Sequence, residues 1–69
     1  MTIAELIAAI LQDRQLTLVE LAQHLQVEPA MINTPARCKR HGRQIAQAIS
    51  RSDEFVDYRW AVTSILIGE

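Results

Sequence analysis

The sequence predicts one mainly α domain, residues 1–69, of three helices closed by a small β element. Three observations carry that prediction. Two Thr-x-x-Glu segments, Thr2 to Glu5 and Thr17 to Glu20, each open an apolar run at helical spacing. A third segment, Thr34 to Arg51, begins Thr-Pro and sets an apolar stripe opposite a basic one. All three aromatic residues, Phe55, Tyr58 and Trp60, then fall within six positions, interleaved with Val56 and followed by Val62.

The first helix is predicted over about 3–13. Thr2 and Glu5 make a capping box, Met1 and Leu6 a hydrophobic staple, and Ile3, Leu6, Ile7, Ile10 and Leu11 recur on one face. The second, over about 18–25, repeats the start signal with Thr17, Glu20, Leu16 and Leu21. It buries Leu18, Leu21, Ala22 and Leu25, leaving His24 at the rim. The third is predicted over about 35–51. A helix running through Pro35 would lose a backbone bond and kink, at about 3 kcal/mol, so Thr34 caps and Pro35 starts it. Around this helix Cys38, Gly42, Ile45 and Ile49 fall on one side, and Arg40, Arg43, Gln47 and Arg51 on the other, with Gln44 beside them. A second register stays open, with a helix from Pro29 to His41 and a strand from Gly42 to Ile49.

The net charge of −1 conceals a layout. Residues 1–28 hold one base and four acids, and residues 52–69 hold Arg59 and four acids, so each arm is net −3. Arg37, Lys39, Arg40, Arg43 and Arg51, five of the seven Lys and Arg residues, lie between them in a stretch without an acid. A clustered basic stripe is the footprint of a nucleic-acid surface; its plain counterpart is a solvated basic face. Arg reaches phosphates or guanine edges and Gln reaches adenine.

Chain length bounds the rest. With 69 residues, 49% of them hydrophobic, one small core is expected and a disordered chain is not. The single Cys38 closes no internal disulfide, which fits a reducing, cytoplasmic setting. The apolar start MTIAELIAAIL carries Glu5 and is too short to span a membrane. Cys38 and His41 have the i, i+3 spacing of two metal ligands, with His24 a distant third; zinc usually needs four, so no metal or cofactor is expected. Asp53 and Glu54 are neighbours that point apart on a loop, and no glycine loop cradles a phosphate, so an enzyme is not expected.

LTLVELAQHLQVEPAMI, from Leu16 onward, resembles the first part of a helix-turn-helix. Ala22 stands at the small position between Leu21 and Leu25, Val27 at the turn anchor and Ile32 at the next buried position. Gln26 stands where glycine is usual, and Pro35 where a buried aliphatic belongs. DEFVDYRWAVTS in turn resembles the wing of winged helix-turn-helix domains, placing a short β wing over about 54–66 with Asp57, Tyr58 and Arg59 near its tip. The order of elements over residues 3–66 is similar to that family. The resemblance implies a small DNA-binding protein, a transcriptional regulator or phage-type accessory factor, with the third helix in the major groove of double-stranded DNA. Arg40, Arg43, Gln44, Gln47 and Arg51 would then face DNA, Arg37 and Lys39 would flank toward phosphates, and Arg59 would reach from the wing. Some members are protein-interaction modules, so a basic helix docking an acidic protein partner is the alternative. PAMIN is similar to the small accessory protein of bacterial ferrous-iron transport, but the cysteine cluster of that family's wing has no counterpart here.

The aromatics are expected in the core, which a small domain needs them to close. Ile65 and Ile67 are expected to pack under the first helix. The chain is expected to be a monomer, with any dimer formed weakly through an unpaired strand edge at 62–67 or only on DNA.

Overall fold

The computed structural model describes residues 1–68 and contains helices but, among the described residues, no strand. Helix α1 spans Ile3–Arg14, α2 Leu18–Leu25, α3 Pro35–Arg40, α4 Gly42–Arg51 and α5 Arg59–Gly68. Short 3-10 turns at Pro29–Met31 and Asp53–Tyr58 join α2 to α3 and α4 to α5.

The first two helices begin as their sequence dictates. Thr2 Oγ1 accepts from the Glu5 N–H at 3.2 Å while the Glu5 carboxylate accepts from the Thr2 N–H at 2.7 Å. Thr17 and Glu20 repeat the exchange at 3.1 and 2.8 Å. Each helix satisfies two orphan donors in this way. Both helices end on a glutamine in the left-handed region, Gln15 at φ 54° and Gln26 at φ 58°, a conformation that glycine adopts more cheaply.

The segment 35–51 is two helices rather than one. Thr34 caps α3, accepting from the Arg37 N–H at 3.1 Å with Pro35 at the first position, but the path breaks at His41, whose φ of −107° and ψ of 21° are not helical. The alternative register fails as well: Pro29–Met31 is a single 3-10 turn, and Gly42 to Ile49 is helical, not a strand. Cys38 is tied down, its Sγ donating to the Ile32 carbonyl at 3.5 Å in the core. The start of α4 lies over the start of α1, where a methyl on Gly42 would stand 3.5 Å from Ile3 Cγ2.

The predicted β wing over 54–66 is absent, and the winged architecture is overturned with it. Its aromatic half forms the second 3-10 turn, kinked at Phe55, and the rest is α5. Burial explains the choice. Phe55, Tyr58, Ala61, Val62 and Ile65 are buried, recurring every three or four residues, and a strand would bury alternate residues instead. Phe55 and Tyr58 are core residues as expected, but Trp60 is 64% exposed and Ile67 76% exposed, so neither closes the core. With the terminus helical there is no strand edge at 62–67 on which a dimer could form.

One core unites the elements. Ile3, Leu6, Ile7 and Ile10 of α1 meet Leu21, Ala22 and Leu25 of α2, Ile45, Ala46 and Ile49 of α4, and the buried face of α5. No polar or charged residue is buried among those described. The far end of α1 is pinned to the second 3-10 turn. Tyr58 donates its hydroxyl to Asp13 at 2.6 Å, Arg14 pairs with Asp57 at 3.4 Å, and the Arg14 guanidinium lies 5.6 Å from the Phe55 ring centre. Burial, and then the bond to Asp13, push the Tyr58 phenol above its ordinary value.

Candidate functional site

All eight residues singled out by sequence are exposed: Arg37, Lys39, Arg40, Arg43, Gln44, Gln47, Arg51 and Arg59. The break at His41 divides them. Arg37, Lys39 and Arg40 belong to α3, and Arg43, Gln44, Gln47 and Arg51 to α4. On α4 the latter four share an arc of about 100° opposite Ile45, Ala46 and Ile49, which are fully buried. The packing of one face therefore presents the other.

Arg59 sits elsewhere than expected. It opens α5, and its Nε donates to the Ser50 carbonyl at 3.2 Å, at the C-terminal end of α4. No wing carries it outward; it satisfies a terminal carbonyl and places positive charge where the helix dipole favours it.

The acids and the bases differ in how they are engaged. Glu5 and Glu20 close capping boxes, Asp13 accepts from Tyr58, Asp57 pairs with Arg14, and Glu54 pairs with His24 at 2.7 Å. Against this, Arg37, Lys39, Arg40, Arg43 and Arg51 have no carboxylate partner among the described residues. Among the described residues the positive charge of the middle segment is thus unpaired, while five of the eight acidic side chains are engaged within the fold.

Two concave surfaces flank α4. One, of about 340 Å³, runs between the end of α2 and the outer side of α4, lined by His24, Gln26, Gln44, Gln47, Arg51 and Ser52 among others. The other, of about 490 Å³, lies where α1, α4 and α5 meet. Neither is legible in the sequence, since each is built from residues far apart in the chain. His24 at the first is held by Glu54 and stands edge-on to Phe55 at 6.3 Å. Among the described residues no three His, Cys, Asp or Glu side chains converge on a point that could hold a metal ion. Burial raises the Cys38 thiol above its ordinary value. No helix among the described residues is long and apolar enough to cross a membrane.

No family model, curated protein or solved structure matches the chain.

Proposed function

We propose that the protein binds double-stranded DNA through α4, with α3 as a phosphate clamp. The supporting observation is the row of exposed cations on α3 and α4 that have no carboxylate partner among the described residues. A ten-residue helix is about 15 Å long and suits a major groove about 12 Å wide. Arg43, Gln44, Gln47 and Arg51 face base edges, Gln44 and Gln47 having the geometry to address adenine and the arginines guanine. Arg37, Lys39 and Arg40 take phosphates from the preceding turn, fixing register without reading sequence.

Titration of the labelled protein with duplex DNA at several salt concentrations tests this reading. Neutralising about three phosphates with Arg37, Lys39 and Arg40 gives a log–log salt slope of about −3. Arg43→Ala, which removes no core contact, should weaken binding about tenfold or more at unchanged thermal stability. An affinity indifferent to salt removes the proposal, as does one unchanged by loss of Arg43.

A further inference from the structure

The larger concave surface is unlike the face assigned to DNA. Ile3 of α1, Gly42 of α4, and Ile65 and Leu66 of α5 give it an apolar floor, and Lys39 and Arg43 stand at its rim. Leu66 is 40% exposed there, and among the described residues no carboxylate lines the groove. Neither cation has an ion-pair partner among the described residues. An apolar floor under two unpartnered cations is complementary to a ligand with apolar anchors and carboxylates on the same side.

We infer that this groove docks an acidic amphipathic helix of a partner protein. Apolar anchors one turn apart would cover Ile3, Ile65 and Leu66, and flanking carboxylates would meet Lys39 and Arg43. A phosphate backbone offers the cations the same charge but brings nothing apolar to the floor. An acyl carboxylate brings one charge, whereas the two cations stand on different helices, α3 and α4. The inference goes beyond the duplex reading and stands without it. The two share Lys39 and Arg43, so an acidic helix in the groove and DNA on α3 and α4 would compete for those two side chains.

The test uses the full chain, without DNA. A synthetic helical peptide with leucines at i and i+4 and glutamates beside them is titrated into isotopically labelled protein. Three ligands run beside it: a scrambled peptide of the same composition, a version with both leucines replaced by glutamine, and sodium laurate. Resonance shifts are expected at Ile3, Gly42, Ile65 and Leu66, with little change at Gln47 and Arg51, where duplex DNA would register. Leu66→Gln, and separately Lys39→Gln with Arg43→Gln, should each weaken the peptide about tenfold. All three side chains are exposed, and the double variant leaves the floor untouched, so it carries the test if Leu66→Gln unfolds. Absence of shifts, equal binding of the scrambled peptide, or binding of laurate alone would overturn the inference. So would a protein that buries the same residues against its own second copy on concentration.

Discussion

At the level of single residues, the least expected feature is Gln26 in the left-handed region, at φ 58° and ψ 40°. Its N–H still reaches back to the Ala22 and Gln23 carbonyls, so α2 is closed, but a Cβ in this conformation costs about 1–2 kcal/mol. Glycine, with no Cβ, adopts this conformation without that cost. Gln26→Gly should therefore raise stability by about 0.5–1 kcal/mol, seen as a melting temperature several degrees higher. A lower melting temperature would mean that the glutamine side chain contributes something its 3.2 Å backbone bond to Gln23 does not explain. Ala22 and Ile32, read from the sequence as buried positions, are both in the core.

At the level of elements, local signals succeeded where a side chain and a backbone group make the decision together. The capping boxes fix the starts of α1 and α2, and the apolar spacing fixes their buried faces. Over 54–66 the expected wing is not formed, although its aromatic and β-branched content favours a strand in isolation. Its helical period was present in the sequence as Phe55, Tyr58, Ala61, Val62 and Ile65, and packing against α4 followed the period rather than the propensity. The break at His41 had no local signal apart from the neighbouring Gly42, since Cys38 and Ile45 lie on one face of a continuous helix too. Tertiary packing flanks it on both sides, with Cys38 bonded to the Ile32 carbonyl and Gly42 beside Ile3 in the groove.

The capping boxes also carry a pH dependence. The bond from the Thr17 N–H, then that from the Thr17 side chain, hold the Glu20 carboxyl below its ordinary value of 4.5, and Thr2 does the same for Glu5. A carboxyl whose folded value is depressed contributes stability present above its unfolded value and lost as pH falls through the folded one. Stability should thus decline below about pH 4.5, by denaturant melts across the acid range. Glu5→Gln with Glu20→Gln keeps an acceptor without the charge, so that decline should be shallower. An identical acid limb in the variant would place its origin outside the two capping boxes.

At the level of the whole molecule, every helix contributes to one core, so opening any element exposes part of all the others. Cys38, only 3% exposed and bonded to Ile32, reports on that opening. Its labelling by a thiol reagent should be at least about a hundredfold slower than in the unfolded chain, and should accelerate with denaturant in step with global unfolding. Rapid labelling in native buffer would show that α3 detaches on its own. The fold also separates charge in space. Lys39 and Arg43 stand at the groove beside Ile3, at the start of α1, without a carboxylate partner among the described residues, whereas Asp13, Asp57 and Glu54, the last two paired with Arg14 and His24, gather around the turn at its other end, about 16 Å along the α1 axis. That distance exceeds the screening length of about 8 Å at physiological salt, so an approaching polyanion feels the near pole before the far one cancels it. The molecule then experiences a torque as well as a force. A protein of net charge −1 would be turned, basic pole foremost, before any contact forms, and its isoelectric point would say little about what it approaches.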